Sequence, residues 1–349
     1  MKSIEELRDR AAAVRAMIAE GESALAADQD SFAHRLSLKS LREHLGDLLG
    51  QTGAALLNSG NPAGAERELK EAVELKPATR GIFLHSILGN CGSDWAAAIP
   101  LLRMLVRIAP AYEHARNNLA IAFLNLGVEV VTNGSVEGGS IQQANELFYL
   151  ASGATTDSEI LNQARKNFAA SYTKLGTYYH EKGEAFSTLE CMKRAREVFP
   201  DEATRRNLGV AYAHAARALM GERRFAEAAT QFESAEDAGV VLPELLNDYG
   251  VALAALGRLP EARLAIERAL EVAPDDRVAR ENLSVISGKK TATPAPSSEP
   301  AGEIKPAEGA AEEAEWEDVI SVDDLQTEEL FPDFIPIQPV TYQYQLAAA

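Results

Sequence analysis

Ile4, Leu7, Ala11, Val14, Ile18 and Leu25 keep a seven-residue rhythm among charged and small polar neighbours, which predicts an amphipathic helix at the start of the chain. Asp28–Ser31 interrupts the rhythm, with Asp30 or Ser31 placed to cap the helix that follows. Phe32, Leu36, Leu41, Leu45 and Leu48 then resume the apolar stripe. Further on, one phrase recurs at helix ends: Ala72–Pro77, Ala195–Pro200 and Ala269–Pro274, with a looser copy at Leu105–Pro110. Each proline stops a helix at a fixed distance behind a small residue that lets two helices approach closely. A stop signal that recurs in this way predicts stacked helix pairs, an array that grows by adding units rather than by enlarging one core.

The units have a family resemblance. Leu246, Tyr249, Gly250, Leu253, Gly257, Ala262, Ile266, Ala269 and Pro274 alternate large and small residues in the manner of a 34-residue helix–turn–helix repeat. Leu49, Gly53, Leu56, Gly60, Ala65, Leu69, Ala72 and Pro77 repeat the pattern, as do Tyr172, Leu175, Gly176, Tyr179, Gly183, Ala195 and Pro200, with Thr188 at a place where alanine is expected. The region Ile82–Pro110 is a degenerate copy. Two more copies, opened by Asn118-Leu119-Ala120 and Asn207-Leu208-Gly209, carry extra length, so their first helices are expected to be elongated. Residues 46–287 thus resemble the tetratricopeptide repeat family. The resemblance implies an all-α superhelix of about six units, a TPR-like solenoid whose usual work is to bind proteins. Residues 1–45 read as an N-terminal helical cap, with a short homodimeric coiled coil as the alternative.

Composition supports helices and narrows the partners. Ala, Leu, Glu and Arg dominate the first 290 residues. Net charge is −18, of which residues 289–349 contribute −10 through 3 basic and 13 acidic side chains. An acidic balance of this kind argues against nucleic acid, whose phosphates call for a basic surface. Cys91 and Cys191 form no disulfide framework or metal-ligand spacing. With no signal-peptide core and no apolar run long enough to span a bilayer, the expectation is a cytoplasmic protein without membrane insertion.

Residues 288–349 change character. Thr291–Ala314 is rich in Pro, Ala, Ser and Glu, a composition expected to stay disordered. Beyond it, acids alternate with large apolar side chains around Trp316, Leu325, Leu330, Phe331, Phe334 and Ile335. These six make a candidate ligand for the chain's own repeats, in cis or in trans.

Catalytic constellations are missing from the sequence. The six histidines have no ligand spacing, no nucleophile elbow is present, and the Gly134–Gly139 loop has no following Lys-Ser or Lys-Thr. No enzyme, cofactor or metal is expected. The phrase Arg-x-Asn-large apolar recurs at Arg116, Arg165, Arg205 and Arg280. The family resemblance implies that Asn118, Asn167 and Asn207 face the concave surface, alongside Asn117, Lys166, Arg206 and Asn247, over an apolar floor that includes Ile121 and Val210. Carboxamides suit a peptide backbone, and the cations suit acid flanking its apolar anchors. The expected function is a scaffold or adaptor that takes a protein or peptide with acidic and apolar residues. The alternatives are a self-assembling structural protein, built through the N-terminal helices, repeats or tail, and a regulatory subunit.

Overall fold

The computed structural model describes residues 3–136 and 139–288. Among the described residues fourteen α-helices and one 3-10 turn succeed one another, with no strand. They divide into two compact units. Those up to Gly134 together with Gln142–Ala164 form the first, and Ser135–Ile141 together with those from Arg165 onward form the second. The acidic-apolar residues from Trp316 to Ile335 lie outside the described residues.

The first unit opens with α1 (Ile4–Ala27) and α2 (Phe32–Asn58). Their starts are capped by serine hydroxyls, Ser3 accepting from Glu6 N at 3.0 Å and Ser31 from His34 N at 3.3 Å. Leu7, Ala11 and Val14 are buried against Leu45, Leu48 and Leu49 of α2 and Ala72 of α3 (Pro62–Leu75). Those three residues of the heptad face are therefore covered within the chain. The boundary between cap and repeats, placed at 45/46, falls inside α2. The helix that ends residues 1–45 is also the first helix of the first repeat, since α2 continues unbroken through Gly46.

A 3-10 turn at Pro77–Thr79 leads to α4 (Arg80–Cys91) and α5 (Trp95–Ile108). Then come α6 (Glu113–Asn133), α7 (Ser140–Ala154) and α8 (Ser158–Glu181), the last running from the first unit into the second. The second unit continues with α9 (Ala185–Val198), α10 (Glu202–Gly221), α11 (Phe225–Asp237), α12 (Pro243–Ala255), α13 (Leu259–Val272) and α14 (Arg277–Ile286).

The proline phrases act as expected. α3, α5, α9 and α13 each end two residues before Pro77, Pro110, Pro200 and Pro274. The intervening residue, pushed out of helical geometry by the ring that follows it, still donates its N–H to the carbonyl of Ala72, Leu105, Ala195 or Ala269, at 2.8 to 3.0 Å. Those four residues are fully or almost fully buried, so the last helical turn is also the contact with a neighbouring helix. Thr188, in the alanine place, is buried as well. Its hydroxyl donates to Glu184 O at 3.0 Å in its own helix and reaches Gly176 O of α8 at 3.4 Å, so the extra oxygen is satisfied. The elongated first helices are present, α6, α8 and α10 having 21, 24 and 20 residues against 13 in α12. The hairpins are TPR-like in sequence pattern and in the way small residues seat their partner helices.

Tyr249 of α12 packs its ring on Phe232 of α11, and its hydroxyl donates to Glu233 Oε1 at 2.8 Å. Burial first, and then that hydrogen bond, push its pKa up to about 12. A raised pKa means that the folded state holds the proton more tightly than the unfolded chain. The stabilisation is therefore complete below about pH 10 and disappears as pH rises through about 12. A difference ultraviolet titration of the protein against Tyr249→Phe is expected to show the missing phenol ionising near 12. A value near 10 would contradict the packing described.

Candidate functional site

The expected binding residues separate between the units. Asn117, Asn118 and Ile121 belong to the first, and Lys166, Asn167, Arg206, Asn207, Val210 and Asn247 to the second. Their exposure corrects the expectation of a row of open carboxamide hooks. Asn118, Asn167, Asn207 and Asn247 are between 0 and 3 % exposed, and Ile121 and Val210 are buried too.

The reasons are local. Asn118 turns its Nδ2 back to His114 O at 2.8 Å, one turn earlier in α6. Asn247 accepts from Nδ2 of Asn282 at 2.9 Å, tying α12 to α14. Val210 belongs to the core formed with Val240 and Leu245. Asn117 is half-buried and holds a loop: its Oδ1 accepts from the Thr155 hydroxyl at 2.6 Å, which in turn accepts from Asp157 N, while Asp157 caps α8. The arginines of the repeated phrase serve helix starts, Arg205 pairing with Glu202 and Arg280 with Asp275 and Pro274 O.

Lys166 and Arg206 remain accessible, half-buried and exposed respectively. They belong to a feature that the Arg-x-Asn phrase obscured. Residues 165–180 of α8 and 203–221 of α10 contain Arg165, Lys166, Lys174, Arg205, Arg206 and Arg217 and not one Asp or Glu. Within the second unit the carboxylates of these two helices stand at their ends, Glu181 closing α8 and Glu202 opening α10, where it pairs with Arg205. His214 of α10 meets His180 of α8 edge to face, ring centroids 4.6 Å apart, and Arg217 Nε of α10 donates to Asp248 Oδ2 of α12 at 2.9 Å. Residues 214–217 therefore line the side on which the first helices meet one another. Burial lowers the pKa of Lys174 from its ordinary value, because a partly desolvated ammonium favours its neutral form. A carboxylate brought alongside would reverse that shift. Asp248, nearly fully buried, bounds the basic strip at α12.

This strip was legible in the sequence as a run of helical residues lacking acid, a signal that searching for repeated dipeptides passes over. A groove of about 680 Å³ in the first unit, between α1 and α2, has a different character. Leu25, Leu38 and Leu75 line it together with Glu22, Glu43, Arg35, Lys39 and Arg42, charges of both signs.

No protein-family model and no curated protein matches the chain. Solved structures do. One, titled as the crystal structure of YrrB, a TPR protein with an unusual peptide-binding site, is 16 % identical, covering 60 % of this chain and 95 % of that one, with a TM-score of 0.25. A second, PilF of Pseudomonas aeruginosa, is 13 % identical over 71 % of this chain and 99 % of that one, with a TM-score of 0.27. The TPR domain of P58(IPK) is 15 % identical over 81 % and 87 %, with a TM-score of 0.22. The TPR-like character itself rests on the repeat positions and on the hairpin packing described above. Among the described residues no helix is long and apolar enough to cross a membrane.

Proposed function

We propose that the protein is an interaction module, a scaffold or adaptor, whose second unit captures an acidic segment carrying apolar anchors along α8 and α10. The observation that carries this reading is the cationic excess of residues 165–180 and 203–221, in which Arg205 and Arg217 are paired with Glu202 and Asp248 and Lys166 and Arg206 are accessible. A cationic excess shared by two neighbouring helices favours carboxylates, and a field of one sign raises the rate of encounter as well. The contacts are those of an extended or helical peptide laid across helices. Lys166 and Arg206 supply the accessible charge, while the buried asparagines set the spacing of the helices beneath. The chain itself carries such a segment within residues 289–349.

The test uses a fluorescent peptide of residues 316–335 and the full chain. Lys166→Glu with Arg206→Glu is expected to weaken binding about tenfold, two exposed attractions having become repulsions of under about 1 kcal/mol each. Arg263→Glu, an equal charge change on the exposed face of α13, should leave it unaltered. Affinity should also fall as salt is added. Equal binding by all three proteins would remove α8 and α10 as the docking surface.

A further inference from the structure

We infer that the outer half of the α1–α2 hairpin is a contact with a second copy of this chain. Phe32 and Leu36 of each protomer enter the groove between α1 and α2 of the other, about a two-fold axis.

The groove exists because the helices around it differ in length. Arg8 and Arg15 of α1 face Glu68 and Glu71 of α3, and Lys76, just past the end of α3, donates to Asp47 Oδ2 of α2 at 2.7 Å. α3 therefore stops level with the middle of α2, while residues 32–45 of α2 run on beyond it for about 20 Å with the end of α1 beside them. Leu75, the last residue of α3, lines the groove together with Leu25 of α1 and Leu38 of α2. A third helix that would have covered those leucines is cut short by Pro77.

The charges on the walls are already matched. Glu22 Oε1 accepts from Arg42 Nη2 at 2.8 Å, Lys39 stands 4.0 Å from Glu43, and Arg35 donates to Gln29 O and Asp30 O at 3.3 and 3.2 Å. Paired walls give little to an ionic ligand, so the leucine floor selects an apolar occupant.

The chain carries such an occupant on the same face. Phe32 and Leu36 stand seven residues before Lys39 and Glu43, a spacing that puts each on the side of α2 that lines the groove. They are 74 and 56 % exposed, the largest apolar surfaces of α2 left in water. A face that holds projecting side chains next to a hollow is complementary to itself, which is what an isologous contact requires. Charge also favours this face over others. Glu22 and Glu43 against Arg35, Lys39 and Arg42 leave it slightly positive, whereas the chain as a whole carries −18 and repels its copies elsewhere.

Two helices about 10 Å across and about 20 Å long offer roughly 400 Å² per protomer. The total of about 800 Å² is below the ~1,200 Å² of a standard stable complex. The dimer is thus a weak one, with a dissociation constant on the order of 100 μM. A contact of that strength leaves the chain monomeric when dilute and pairs it where copies are crowded.

Sedimentation equilibrium of the full chain, over concentrations that bracket that constant, tests the inference. The mean mass is expected to climb towards twice that of one chain and to change little with added salt, since the contact is apolar. Phe32→Glu with Leu36→Gln removes the projecting side chains, and Ala26→Glu puts an unmatched charge in the hollow. All three residues are exposed, and circular dichroism checks that the helices persist. Each variant is expected to weaken the dimer at least about tenfold, while Phe186→Glu, at an exposed phenylalanine of α9, should leave it unaltered. A monomer at every concentration overturns the second copy as occupant. A dimer that survives both hairpin variants, or dissolves in salt, places the contact elsewhere and overturns the inference, and a mass that climbs past two chains overturns the two-fold arrangement.

Discussion

Asp248→Ala is expected to lower the stability of the second unit by about 3 kcal/mol. Asp248 is 1 % exposed and accepts from Arg217 Nε at 2.9 Å. Removing the carboxylate takes away the charge that Arg217 Nε faces, a loss that for buried pairs runs from about 3 to 5 kcal/mol. The Arg217 side chain keeps 22 % of its surface in water, which puts the expected loss at the lower end. Replacing both partners together, R217M with D248L, should return to within about 1 kcal/mol of the starting protein, because the desolvation cost of the charges is removed along with their attraction. Urea unfolding followed by circular dichroism measures both. A loss under 1 kcal/mol for the single variant would show that water reaches the pair.

Gly250→Ala is the second large effect, and there two terms oppose each other. Alanine in a helix interior is favoured over glycine by about 0.8–1 kcal/mol. A Cβ at Gly250, however, lies 3.0 Å from Ala262 O of α13, 3.0 Å from Ile266 Cδ1 and closer still to Ile266 Cγ1. Ile266 is fully buried, and the carbonyl belongs to the backbone of the facing helix, so neither can step aside. Overpacking of this kind costs about 1–3 kcal/mol, and at the upper end the overlap wins, for a net loss of about 2 kcal/mol. Gly89→Ala in α4 isolates the other term, since Gly89 is exposed and its Cβ would meet nothing within 4 Å. It should stabilise by about 0.5–1 kcal/mol. Changes of the same sign at the two positions would refute close helix approach as the role of Gly250.

The pairing of helices was readable in the sequence because its signals are steric and local. A proline ends a helix wherever it stands, and the four stops fall where Pro77, Pro110, Pro200 and Pro274 put them. The small residues Ala65, Ala262 and Ala269 mark close approaches for the same reason. The candidate site was less legible. A carboxamide at a helix position that faces a neighbour can point outward or bond inward, and Asn118 and Asn247 bond inward because a carbonyl or a second amide is nearer than solvent. Residue type alone does not distinguish the two cases. The division of the chain within α8 also leaves no mark, since Ser158–Glu181 is an unbroken helical stretch, and only tertiary packing separates its halves. What the sequence does carry of the site is collective: a cationic excess along the middle of two helices, visible only when the helices are known to be neighbours in the fold.

The continuity of α2 has a consequence for anyone exchanging parts of this protein. Its 27 residues make a rod about 40 Å long, one end seating α1 and the other seating α3. A foreign leading segment fused at residue 45 would inherit the angular phase of that rod, and each residue inserted or deleted at the junction would swing it by about 100°. Only grafts that preserve helical phase would bring Leu7, Ala11 and Val14, or their substitutes, back over the first repeat.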